Sequence, residues 1–360
     1  MKLLIAGAFN YPIYERAFLD AWRDLGLPAE EFDWSPVFSG VSGKVQQFIP
    51  VLGPAAVRLN SLLRQKVLSE HPDVVLIWRG IHVFPSTYHF IREKCHSIVV
   101  SYNNDDPFGP RAHGDVPWHH HFLWRWYLKS LPFADLTLVF RPVNVEEARE
   151  AGAKCVGVML PYFIPGKDRP LVLGDDDEQA YGCDVVFAGH YENDGRDRHL
   201  AALVDAGLSV KLFGGDEWNS RLPSFYKEYF RLVRPAIGDD YIKALCGAKM
   251  CLCFLSRLNR DVYTRRCFEI TSCGSLLLSE RTKELTKIFR EDEEAVYFSS
   301  SAELVEKATW LKSHPDEIAR IAAAGLRRVH ADEHSVHDRA RQLLSLVKHV
   351  DARKGQIWNP

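Results

Sequence analysis

Residues 254–280 read FLSRLNRDVYTRRCFEITSCGSLLLSE, and the succession of residue types along them points to one local fold. An apolar strand ends at Leu255. A polar loop follows, carrying Arg257, Asn259, Arg260 and Asp261. Thr264 suits the capping position of a helix that runs to Cys273, and Gly274 suits its end. SLLLS, residues 275–279, is the next strand.

The mouth of that helix is the chemically informative part. The first turn of a helix carries backbone N–H groups without intrahelical partners and the positive end of the dipole, and both favour an anion. Arg265 and Arg266 add charge suited to phosphate oxygens. Glu269, about one turn further along, offers a carboxylate that accepts hydrogen bonds from two ribose hydroxyls. Together these parts would hold a nucleoside diphosphate. The plainer alternative is that the arginines are solvated charges on a helix face and that Glu269 pairs with one of them.

Outward from this stretch, short apolar runs alternate with helical patterns. Lys2–Ala6, Val74–Trp78, Ile98–Ser101, Leu136–Phe140 and Val156–Leu160 read as strands. Asp184–Ala188, Val210–Phe213, Met250–Leu255 and Ala295–Phe298 continue the series. Helical spacing recurs at Ile13–Leu25, His199–Ala206, Tyr241–Gly247, Ala302–Ser313, Pro315–His330 and Val336–Val350. Fully apolar strands separated by helices predict parallel sheets covered on both faces. Ile164–Gly182 interrupts the pattern with Pro165, Gly166, Pro170 and the acidic run Asp175–Glu178, a linker-like composition. The expectation is an α/β chain with an N-terminal domain over 1–165, a linker over 166–182, a second domain over 183–335, and a terminal helix and tail over 336–360. A length of 360 residues suits two domains. Ligands of open parallel sheets bind beyond the carboxyl ends of the strands, so two such units predict a site in a cleft between them.

Composition narrows the function. A formal net charge of −2 supplies no global basic field for nucleic acid. The first strand runs into Gly7-Ala8-Phe9-Asn10, which lacks the later glycines of a dinucleotide fingerprint and disfavours a dehydrogenase. Charges interrupt every apolar run before the roughly 18 residues of a membrane span. The eight cysteines form no CxxC, and several sit in strands, which predicts reduced buried thiols and a cytoplasmic location.

Residues 268–274, FEITSCG, resemble the E-x-x-x-x-G segment of retaining GT-B glycosyltransferases. The longer run from Asn259 to Leu304 is similar to the CgeB-like group of bacterial glycosyltransferases, whose T-x-R-x-F-E core stands here as Thr264, Arg266, Phe268 and Glu269. The likeness extends over residues 183–345. It implies a GT-B fold: two Rossmann-like domains facing across a cleft, with the last helix returning towards the N-domain. It further implies a UDP-, GDP- or dTDP-sugar donor in the C-terminal half, a glycan, lipid-linked or other acceptor, retention of anomeric configuration, and no metal cofactor. Glu269 would hold the ribose. An acidic residue eight positions earlier would contact the donor sugar; that position holds Asp261 where the family has Glu, and Asn259 takes the role under a small shift of alignment. Gly189, at a strand end, and Arg196 would face the diphosphate, and Tyr241 would lie near the base. Trp218 would shield the base or merely pack. Arg266 and Arg196 would stabilise the phosphate charge that grows as the glycosidic bond breaks.

In the N-terminal half, Asp105 and Asp106 end a strand and could orient an acceptor hydroxyl, or act as base in an inverting enzyme. The alternative is an Asx-turn before Pro107. Arg79, Gly80 and His82 hold the same kind of position. His119–His121 are consecutive and point different ways, so no metal is expected there. Residues 39–68 carry Lys44, Arg58, Arg64 and Lys66 among apolar residues and no acid, and residues 122–131 read FLWRWYLKSL. Such mixtures suit peripheral contact with an anionic inner membrane face, or else ordinary helices covering a sheet. A non-catalytic sugar-nucleotide-binding module and an epimerase on the same fold are the other classes left open.

Overall fold

The computed structural model describes residues 1–48, 52–109 and 119–357. They divide into two compact units. One comprises Met1–Leu160 together with the segment from Val336 onward, and the other Pro161–Ser335.

The first unit is built on a six-stranded sheet: β1 (Leu3–Gly7), β2 (Ala29–Asp33), β3 (Val74–Trp78), β4 (Ile98–Asn103), β5 (Leu136–Val139) and β6 (Val156–Val158). The order is β2-β1-β3-β4-β5-β6, and every pairing is parallel. LLIAG and VVLIW are buried along their whole length because helices cover both faces of the sheet. Leu4, Ala6, Val75, Ile77 and Val99 pack on one side with Leu59, Leu63 and Val67 of the Pro54–Glu70 helix. The helix Val336–Ile357 belongs to this unit, as the resemblance implied. Its His337 Nε2 lies 3.0 Å from Asp24 Oδ2, and Gln342 Nε2 donates to the Val158 carbonyl at 3.0 Å.

The second unit holds β7 (Cys183–Ala188), β8 (Val210–Phe213), β9 (Ala248–Cys253), β10 (Leu277–Glu280) and β11 (Val296–Phe298). Their order is β11-β10-β9-β7-β8, again all parallel. Val185, Phe187, Met250, Leu252 and Leu278 form its core with Leu200 and Leu203 from the Arg196–Asp205 helix. The expected α/β architecture of two Rossmann-like sheets is present.

Three details differ from the sequence reading. β2, with the sequence AEEFD, has no apolar run; it is an edge strand, half exposed, and pairs on one side only. The stretch read as a linker, 166–182, is folded into the second unit. Asp175–Tyr181 is helical, and Asp168 is buried in an ion pair with Arg265. The division between units falls at Leu160/Pro161, five residues before the expected boundary at 165.

In each unit the first strand lies between the second and the third. The connections therefore depart in opposite directions from adjacent strands, β1 and β3 in one unit and β7 and β9 in the other. Just beyond the carboxyl ends of such a strand pair is where open α/β sheets bind ligands.

Candidate active site

The β7/β9 switch point is furnished by the helix read from the sequence. It spans Arg265–Ser272, and seven of its eight residues are buried. Thr264 precedes it in an extended conformation (φ −140°, ψ 165°), and its hydroxyl makes no capping bond, so the helix mouth keeps its free amides. Gly274 ends the helix at φ +69°, a left-handed conformation that glycine adopts without strain.

Arg265 and Arg266 leave this mouth in different directions. Arg265 turns inward. Its Nη2 lies 2.8 Å from Asp168 Oδ2, and its Nη1 bonds Glu269 Oε1. The Tyr241 hydroxyl donates to the other oxygen, Oε2, at 3.0 Å. Glu269 is thus held from two sides while each carboxylate oxygen retains a lone pair. The pairing of Glu269 with an arginine, the plainer reading of the sequence, is therefore real. It fixes the carboxylate in the interior; neither partner is a solvated charge. Tyr241, expected near a base, is seen to orient Glu269, and burial pushes its hydroxyl pKa upward.

Arg266 lies against β7. A Cβ at Gly189 would come within 2.8 Å of Arg266 Nη2, so only glycine permits this approach. The guanidinium carbon sits 5.4 Å from the centre of the Phe187 ring. Its Nε is closed off from solvent without a hydrogen-bond partner, and among the described residues no carboxylate forms an ion pair with it.

Two expected contributors have other roles in this geometry. Arg196 is not a free phosphate clamp. Its Nη2 pairs with Asp194 at 2.6 Å and its Nη1 donates to the His190 carbonyl at 2.7 Å, so the guanidinium is already satisfied. Trp218 is 0% exposed and cannot cover a base; its indole N–H holds the Gly189 carbonyl at 2.9 Å and the ring packs on Phe187 and Tyr191. Asp261 and Asn259 lie in a turn built on Ser256. The Asp261 amide donates to the Ser256 carbonyl at 2.8 Å and the Asn259 amide to Ser256 Oγ at 3.2 Å. Glu280, which the sequence reading passed over, closes β10 and accepts the Leu255 amide at 2.6 Å; burial raises its carboxyl pKa. Its place at a strand's carboxyl end was the available signal.

In the first unit, Asp106 is the Asx-turn residue. It is 3% exposed, and its Oδ1 accepts the amides of Phe108 and Gly109 and the side chain of Asn144, each at 3.0 Å. It holds the loop and is not placed as a free base. Asp106→Ala is expected to lower the stability of the chain by about 1–3 kcal/mol, because buried donors lose their acceptor. Urea denaturation measures this, and an unchanged midpoint would contradict the structural role. Asp105 pairs with Arg79, Oδ2 to Nε, at 2.6 Å. His82 is buried against Phe38, and burial together with the Arg79 charge pushes its pKa down to about 4. Of the basic and apolar stretch, Lys44, Val45, Leu52, Val57 and Arg58 are exposed, whereas Arg64 bonds Thr87 and Lys66 pairs with Glu70. Ile49, Pro50 and Val51 lie outside the described residues.

With both switch points described, the class follows: the fold is GT-B. A model of the glycosyl transferase-like family matches residues 196–345, which spans this helix and most of the second unit. The chain is similar along its length to sucrose-phosphate synthase from Thermosynechococcus elongatus, with a TM-score of 0.69, 11% identity, and coverage of 98% of this chain and 100% of that one. It is similar also to HepE from Anabaena, solved with UDP-glucose, at TM-score 0.63 and 12% identity, covering 97% and 100% of the two chains. A UDP-forming trehalose-phosphate synthase from Burkholderia xenovorans gives TM-score 0.62 and 12% identity, with coverage of 97% and 99%. A search of the curated proteins found no significant match. The family match concerns residues 196–345, and the likeness to these solved structures shows the fold.

Proposed function

We propose that this enzyme moves a sugar from a nucleoside diphosphate sugar, held by the second unit, to a hydroxyl acceptor received by the first. The observation that carries this reading is Arg266. Its guanidinium lies against the bare backbone of Gly189, beside uncapped helix amides, and no carboxylate among the described residues neutralises it. A part-buried cation without a counter-ion favours an anionic ligand. A diphosphate fits both Arg266 and the amides, and Glu269, held by Arg265 and Tyr241, is oriented to accept the ribose hydroxyls.

In the reaction the bond between the anomeric carbon and the diphosphate oxygen breaks, and a bond from that carbon to the acceptor oxygen forms. The acceptor proton passes to the departing phosphate oxygen, so a retaining course needs no protein base. Arg266 and the helix amides stabilise the charge that accumulates on the leaving group, without a metal. The crystal structures of HepE with UDP and UDP-glucose support a uridine nucleotide as the first donor to try. The narrower likeness to the CgeB-like group rests on Thr264, Arg266, Phe268 and Glu269.

A thermal-shift screen with UDP-, GDP-, dTDP- and CMP-sugars tests the reading. A ligand present at about 100 times its Kd stabilises the native state by about 2.7 kcal/mol, so one nucleotide class should raise the melting temperature clearly. A flat response to all four would remove the donor assignment.

A further inference from the structure

The two helices joined by the Tyr241–Glu269 hydrogen bond meet again at their far ends, and the far end of each carries a cysteine. Tyr241 lies near the start of the Asp239–Gly247 helix and Cys246 in its last turn. Cys273 caps the Arg265–Ser272 helix, its amide donating to the Glu269 carbonyl at 3.0 Å. The Ser275 hydroxyl donates to the Leu245 carbonyl at 2.9 Å and pins the two ends side by side. Cys246 Sγ stands 3.8 Å from the Cys273 carbonyl oxygen and 3.9 Å from that of Arg169, and the two thiols are in hydrogen-bonding contact.

Access separates this pair from the other thiols. Cys246 is half-buried and lines an open cavity of about 540 Å³, together with Leu171, Leu173, Gly182 and Lys249. Cys273 lies behind it, buried. The sulfurs of Cys253 and Cys267 are 3.7 Å apart, but both residues are 0% exposed and closed to an oxidant. Cys95 also reaches the surface, yet burial pushes its thiol pKa up. The Cys246 thiol is pushed down, first by its hydrogen bond with Cys273 and further by the Leu171 backbone, Ser275 and the Arg169 charge. The thiolate is the reactive form, and a cysteine that is accessible, acidic and next to a second thiol suits reversible oxidation.

We propose that Cys246 is a site of reversible thiol oxidation by a hydroperoxide, with Cys273 as the resolving thiol. The Cys246 thiolate attacks one peroxide oxygen and becomes a sulfenic acid, while the O–O bond breaks and the other oxygen leaves as hydroxide. The Cys273 thiol then attacks the Cys246 sulfur. An S–S bond forms, the S–O bond breaks, and water departs. In sum two thiols give up two electrons and two protons, and the peroxide is reduced to two molecules of water. The bridge ties together the far ends of the helices that carry Tyr241 and Glu269. This site stands on its thiols and does not depend on the transferase reading.

Peptide mapping of the full chain tests it. The reduced protein is exposed to a stoichiometric amount of hydrogen peroxide, the remaining thiols are blocked with N-ethylmaleimide, and the chain is digested with trypsin without reductant. Cleavage after lysine and arginine separates Cys246, in residues 244–249, from Cys251 and Cys253, in 250–257, and from Cys267 and Cys273, in 267–281. The expected product joins 244–249 to 267–281 with the loss of two hydrogens. Fragmentation should place the bond at Cys273, and dithiothreitol should reverse it. In Cys273→Ser the sulfenic acid has no thiol to resolve it, so Cys246 should take up dimedone severalfold more than in the wild type. Should Cys273→Ser not fold, Cys246→Ser carries the result, with 267–281 expected to stay unlinked. A bridge from Cys246 to Cys183 or Cys251, oxidation of Cys95 or Cys155 ahead of Cys246, or equal dimedone uptake in wild type and folded Cys273→Ser would each overturn the proposal.

Discussion

Replacing Arg266 with Met should raise the melting temperature of the ligand-free chain and abolish its response to nucleotide. Both effects follow from one geometric fact. The guanidinium packs on Phe187 and Gly189, its Nε has no partner, and no carboxylate among the described residues balances its charge. A cation withdrawn from water without a counter-ion opposes folding. Met is unbranched and adaptable enough to fill the same space without that penalty. Donor binding would then lose its principal positive charge, and transfer should slow by about 10²–10³-fold, the usual effect of removing one group that stabilises developing negative charge. Calorimetric melting with and without UDP, together with a transfer assay, checks all three effects. A lower melting point combined with an intact nucleotide shift would show that Arg266 is structural and does not serve the donor.

For the adjacent arginine the expected sign is reversed. Arg265→Met strips two buried carboxylates, Asp168 and Glu269, of their shared cation. Breaking one side of a buried ion pair costs about 3–5 kcal/mol, because a charge is left in the interior unbalanced. In a domain of this size that is a drop of roughly 6–20 °C in melting temperature. Asp168→Asn introduced together with Arg265→Met should recover part of the loss, since one of the stranded charges is removed. If Arg265→Met melts within about a degree of wild type, the Asp168–Arg265–Glu269 network is not holding the second unit together, and the account of how Glu269 is oriented fails with it.

The contrast between these neighbours marks where the sequence stops being informative. The helix itself was legible: Thr264 and Gly274 bracket it, and the structure places it at Arg265–Ser272. So were the strands buried on both faces, whose apolar runs admit few alternatives. β2 was not, because AEEFD at a sheet edge is only half shielded and leaves no periodic mark. The partition of tasks between Arg265 and Arg266 was not legible either. It depends on Asp168, 97 residues away and inside a segment whose prolines and acids look like a linker. Arg196 and Asp106 show the same limit: residue type and strand-end position flagged them, but their near neighbours Asp194, Phe108 and Gly109 had already engaged them.

The helix Val336–Ile357 belongs to the first unit, although the whole of the second unit intervenes in the chain. Topologically, the second unit is an insertion within the first. During synthesis Pro161–Ser335 has every residue it needs as soon as Ser335 clears the ribosome, whereas the N-terminal sheet must wait with the Ala17–Asp24 helix uncovered until the Val336–Ile357 helix arrives to cover it. A chain cut short after Ser335 and released would therefore present one finished half and one that still lacks its closing piece.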